Sequence, residues 1–151
     1  MKIQNKEMLL YSMNRAYDEL ATVINDVNAS EQEVYFRLGS CLHWLVDCYD
    51  RVKDIGIEDQ DQKIFQAVRG ANNAQKHVRQ LYKLHRVSSS GYPRRYSRHY
   101  GIKYLWEDME SVPLRNKNEK IAYQELFRGN NILNDLSKAR SIINKYLERC
   151  D

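Results

Sequence analysis

Apolar residues recur at three- and four-residue steps through most of this chain, and that spacing predicts helices. Met8/Leu9, Met13, Ala16/Tyr17, Leu20, Val23/Ile24 and Val27 mark a first helix over about 3–28. Ser30-Glu31-Gln32-Glu33 fits a capping box, in which the serine oxygen accepts from the Glu33 amide and the glutamate reaches back to the serine amide. The stripe Val34, Leu38, Cys41/Leu42, Leu45, Cys48/Tyr49 and Val52 then carries a second helix to about 54, expected to pack antiparallel to the first. A third helix is predicted from near 59–62, where acidic residues suit the positive end of the helix dipole, to about 86, with Ile64, Val68, Ala71, Gln75, Val78 and Tyr82 on one face.

Periodicity fails after that. Ser88-Ser89-Ser90-Gly91-Tyr92-Pro93 cannot continue a helix, and the stretch from Val87 to Trp106 reads as a long, ordered, basic, Tyr-rich loop. Beyond Pro113 a helix is expected over about 116–127, with Gly129-Asn130-Asn131 as a break. The stripe Ile132/Leu133, Leu136, Ala139, Ile142/Ile143 and Tyr146/Leu147 predicts a last helix to about 149. The fold class is therefore read as all-α, an antiparallel bundle of four to five helices in one domain spanning 1–151.

Composition narrows the function classes. The 42% hydrophobic content over 151 residues suits one domain with one core. Charge from the first residues, and no apolar run long enough for a signal h-region or a membrane span, predict a cytoplasmic protein with no membrane partner. The three cysteines are odd in number and lack metal-ligand spacing, so buried or free thiols are expected, with no metal and no cofactor.

Charge is unevenly distributed. From Gln62 to Trp106 there are ten Lys or Arg residues, no Asp or Glu, three of the four histidines and five of the eleven tyrosines. The remaining residues carry fourteen basic and twenty acidic side chains, so the formal +4 is a +10 block set in a −6 remainder, an asymmetry that points to a polyanion partner. Within the block, Arg94, Arg95, Arg98, His99 and Lys103 interleave with Tyr92, Tyr96, Tyr100 and Tyr104. Guanidinium groups neutralise phosphates and phenol rings stack on bases. The competing reading packs those tyrosines on the helices and pairs the arginines with the acidic loop at 54–61.

On the third helix, Arg69, Asn73 and His77 fall at about 140°, 180° and 220° from Ile64, roughly opposite the predicted core face. Such side chains face solvent, a groove or a second subunit. Gly70 and the paired Asn72-Asn73 are poor interior helix residues, which suggests a role beyond helix stability. Asn73-Ala74-Gln75-Lys76-His77, on a late helix of a small bundle, resembles the HEPN superfamily motif, in which an Arg is followed four to six residues later by His. Asn72 stands where the motif has Arg, and the nearest arginine upstream is Arg69.

The resemblance implies a nucleic-acid-binding protein of a bacterial defence or toxin-type system, a homodimer, and a metal-independent endoribonuclease. His77 would exchange protons, Arg69 would neutralise phosphorane oxyanions and Asn73 would orient the phosphate. Asn72, Lys76, Arg79, Lys83, Arg86, Arg94, Arg95, Arg98, His99 and Lys103 are the candidate nucleic-acid contacts. The alternative expectation is a non-catalytic regulatory module whose basic surface binds nucleic acid or an acidic partner protein.

Overall fold

The computed structural model describes residues 2–86 and 102–150. Five helices are formed: α1 (Lys6–Asn25), α2 (Glu31–Val52), α3 (Asp59–His77), α4 (Lys117–Leu126) and α5 (Ile132–Glu148). Between α3 and α4 lie two strands, β1 (Tyr82–Arg86) and β2 (Ile102–Trp106). The helical-bundle class predicted from periodicity is the fold observed. No helix among the described residues is long and apolar enough to cross a membrane.

Local chemistry sets the helix ends. α1 stops at Asn25 rather than near 28, because the Asp26 carboxylate accepts from the Asn28 amide at 2.9 Å and closes a side-chain turn instead of another helical one. Ser30 caps α2 as expected, its hydroxyl oxygen 3.2 Å from the Glu33 amide. The Glu33 carboxylate instead lies 3.5 Å from Arg37. Asn116 caps α4 through the Glu119 amide, and Asn131 caps α5 through the amides of Leu133 and Asn134. Gly129, at φ 79°, makes the left-handed turn between them that a side chain would disfavour.

The third helix is shorter than predicted, ending at His77 instead of about 86. Two side chains divert the backbone there. The Tyr35 hydroxyl donates to the Gln75 carbonyl at 2.6 Å, the acceptor that the Arg79 amide would use in a continuing helix. The Arg79 amide turns back to the Ala74 carbonyl, and the Gln75 side-chain oxygen accepts from the Leu81 amide at 3.0 Å. The chain then enters β1 in place of further helical turns. The expected loop over 87–106 is corrected in the same way, since its last five residues form β2.

β1 and β2 pair antiparallel, Tyr82 opposite Trp106 and Arg86 opposite Ile102. β2 is held on its other edge by the turn before α5. There the Trp106 amide donates to the Asn130 carbonyl, the Gly129 amide donates to the Trp106 carbonyl, and Leu105 bridges Asn131. Trp106 stacks on Phe127 with ring centroids 5.4 Å apart and meets Tyr123 edge-on. The hairpin base is thus part of the core, continuous with Leu20, Leu42, Val68, Leu136 and Ile143.

Candidate nucleic-acid interface

α3 is the central helix, packed by α2, α4 and α5. Asp61, Phe65, Ala67, Val68, Gly70, Ala71, Asn72, Ala74 and Gln75 are all buried, an arc of about 220° at 100° per residue. The exposed sector left over is narrow, and Arg69, Asn73 and His77 lie in it. The predicted stripe is therefore opposite the core, but two of its three members are already engaged by neighbouring helices.

Arg69 Nη2 donates to Asp50 on α2, and its guanidinium lies 5.4 Å from the centroid of the Tyr49 ring, which itself stacks on Phe65. Asn73 donates to the buried Glu119 of α4 at 2.9 Å. Neither faces an open groove as the sequence suggested. Gly70 has a packing reason: a Cβ there would lie 3.0 Å from the Glu119 carbonyl oxygen, so glycine allows α4 to close on α3. Asn72 is 8% exposed, with Oδ1 lacking a partner among the described residues. Its burial removes it from the surface contacts expected of it.

The end of α3 is different. Lys76 and His77 are exposed in its last turn, and neither forms an ion pair or hydrogen bond among the described residues. Arg79 is exposed and donates to the Asp108 carbonyl at 3.0 Å. Below that carbonyl the Asp108 carboxyl is held under its ordinary range, chiefly by the Glu110 amide and then by the Gln124 side chain. Since strand side chains alternate, the inward pair Tyr82 and Trp106 puts Lys83 and Lys103 together on the outer face of the hairpin, and both are exposed. Tyr104 packs edge-on against Tyr82 at 5.9 Å, in keeping with tyrosines that pack rather than face a ligand.

Arg94, Arg95, Arg98, His99, Tyr92, Tyr96 and Tyr100 lie outside the described residues, and for Arg86 only the backbone pairing with Ile102 is described. The structure thus brings Lys76, His77 and Arg79 to one end of α3 and Lys83 with Lys103 to the two strands beyond it. It separates Arg69 and Asn73 from them by direct partners. Those partners, Asp50, Tyr49 and Glu119, were not legible as site residues. The only signal was negative, an acid-free block whose cations must find carboxylates elsewhere in the chain.

One buried carboxylate stands at the hairpin base. Asp135, in the first turn of α5, is 4% exposed, with Asn130 Nδ2 3.5 Å from one oxygen and, among the described residues, no hydrogen-bond partner for the other. Burial pushes its carboxyl up to about 6, against the lowering influence of Asn130, Lys138 and the Trp106 indole. A surface groove of about 610 Å³ lies on the outer face of α1, lined by Tyr11, Arg15, Glu19 and Arg37 among others. It is remote in sequence from the basic block, and its charges are paired, Arg15 and Arg37 with Glu19 and Asp18 with Arg140 of α5. Among the described residues no group of three or more His, Cys, Asp or Glu side chains is arranged to hold a metal ion.

Comparison with protein-family models, with curated proteins and with solved structures finds no match in any of the three.

Proposed function

We propose that this chain is a HEPN-like nucleic-acid-binding module. Its contact surface is the end of α3 with Lys76, His77 and Arg79 and the outer hairpin face with Lys83 and Lys103, and the basic residues between 87 and 101 join it on the sequence alone. One observation supports this above the others. Lys76, Lys83 and Lys103 are exposed and have no anionic partner among the described residues, in a block that contains no acid. Unpaired cations on adjoining elements bind phosphates by releasing counterions, and affinity then falls steeply with salt. The non-catalytic form of the reading is preferred, because Arg69 and Asn73, the groups the resemblance assigns to the oxyanions and to the phosphate, hold Asp50 and Glu119 instead.

A second reading, RNA cleavage centred on His77, draws on Arg69, Asn73 and His77 still sharing one sector of α3. The homodimer, the acidic protein partner and the defence or toxin setting enter on the resemblance and on charge alone.

Binding is tested by fluorescence anisotropy with a labelled single-stranded oligoribonucleotide across a salt series. Wild type should bind with strong salt dependence, and Lys83→Ala with Lys103→Ala should weaken binding about tenfold and flatten the salt slope. No binding at low salt contradicts the proposal. Cleavage is tested with mixed cellular RNA in EDTA: fragments ending in a cyclic phosphate from wild type but not from His77→Ala would establish the second reading.

A further inference from the structure

Arg69 is built like a phosphate ligand but is occupied by an acid of its own chain. Its guanidinium lies over Tyr49, and Tyr49 is stacked on Phe65 with ring centroids 4.5 Å apart and planes 9° apart, so the cation rests on a platform fixed by the core. Such a cation–π contact helps to place the guanidinium without using its hydrogen-bond donors. Of the five N–H groups, one forms a hydrogen bond among the described residues, from Nη2 to Asp50 Oδ1. Both partners are accessible, Arg69 31% and Asp50 39% by side chain.

Asp50 also has a second cation at hand. Lys53 Nζ is 3.8 Å from the same Oδ1 atom. If an incoming anion took Arg69, Asp50 would still face Lys53, so the exchange would leave neither carboxylate nor guanidinium without a counter-charge. Along α3 the residues Arg69, Asn73 and His77 succeed one another at four-residue steps, each about 6 Å of helix rise, and lead to Lys76 and Arg79. A strand seated at the hairpin end and running along this sector would meet Arg69.

We propose that Asp50 is an internal competitor at a phosphodiester site on Arg69, displaced onto Lys53 when the phosphate backbone of a bound nucleic-acid strand reaches that guanidinium. This rests on the nucleic-acid reading above. The competitor is a partly exposed pair, so its removal is worth a few-fold in affinity rather than orders of magnitude. A bidentate phosphate contact is the stronger partner for a planar guanidinium already placed by a cation–π contact.

The test is binding of the labelled single-stranded oligoribonucleotide to the full chain. The variants are Asp50→Asn, Asp50→Ala, Asp47→Asn, and Asp50→Asn combined with Arg69→Ala, each checked for folding by thermal melting. Asp47 is the control: a half-exposed acid of the same helix, 3.6 Å from His43. The expected result is about three- to fivefold tighter binding for both Asp50 variants, with a steeper salt slope, less than twofold change for Asp47→Asn, and loss of the gain when Arg69 is also removed. Equal gains at positions 47 and 50 would overturn the inference, reducing it to net charge. So would wild-type binding that Asp50→Asn leaves unchanged, an outcome that leaves the nucleic-acid reading standing. Absence of binding in wild type and in every variant would overturn both.

Discussion

The middle of α3 and its end belong to the same acid-free block, yet the fold treats them in opposite ways. In the middle, Arg69 and Asn73 are cross-linked to Asp50 and Glu119, and Gly70 lets α4 approach to contact distance. At the end and on the hairpin, Lys76, Lys83 and Lys103 have no such partners among the described residues. A run of positive charge is therefore not one surface. Where three helices converge, a cation is held by a carboxylate of its own chain and meets a ligand only by exchange, and where the chain leaves the bundle cations remain directly available to one.

That contrast is broken most severely at Gly70. Gly70→Val places branched carbon against the Glu119 carbonyl, and it should lower unfolding stability by about 2–3 kcal/mol in urea titration despite the gain in helix propensity. A stability equal to wild type would show that α3 and α4 are not tightly apposed. The hairpin base gives the next effect. Asp135 has a folded-state carboxyl raised to about 6 against an ordinary 3.8, so the ionised form is penalised above pH 6 and the penalty is relieved as pH falls from about 6 to about 4. Asp135→Asn should therefore be more stable than wild type by about 2 kcal/mol at pH 7.5, with the difference vanishing near pH 4. A gain that does not depend on pH would refute the assignment.

Smaller effects compare the two halves directly. Arg69→Ala loses a partly exposed ion pair and an aromatic contact, and its melting curve should show a loss of about 1 kcal/mol. Lys83→Ala with Lys103→Ala should change stability by less than about 0.5 kcal/mol, since neither lysine has a partner to lose among the described residues. If the lysine pair proved as destabilising as Arg69→Ala, the division between strut and ligand cations would collapse.

The bundle was legible because apolar periodicity in α1, α2 and α5 survives in tertiary context, and because Ser30 marks a helix start whose oxygen does accept from Glu33. The end of α3 was not. Gln75, Val78 and Tyr82 continue the helical spacing, but the Tyr35 hydroxyl, forty residues away in sequence, takes the Gln75 carbonyl and ends the helix. The strands were illegible because Tyr82-Lys83-Leu84 is too short to separate two-residue from helical periodicity, and pairing with β2 is a non-local choice. At the candidate site, the angular positions of Arg69, Asn73 and His77 were readable from the helix repeat. Which carboxylates would reach them depended on how α2 and α4 dock. The unusual glycine and asparagines, which suggested function, are explained at Gly70 and Asn73 by the α4 contact.

The central claim is that the cations left free by the fold carry most of the binding, with Arg69 contributing only by exchange against Asp50. It is tested most directly by measuring single-stranded RNA affinity, at fixed low salt, for wild type, Lys83→Ala with Lys103→Ala, and Arg69→Ala. The account predicts about a tenfold loss for the lysine pair and less than a threefold loss for Arg69→Ala, whose guanidinium is already held by Asp50. Full affinity in the lysine variant, with or without a loss at Arg69, would contradict it.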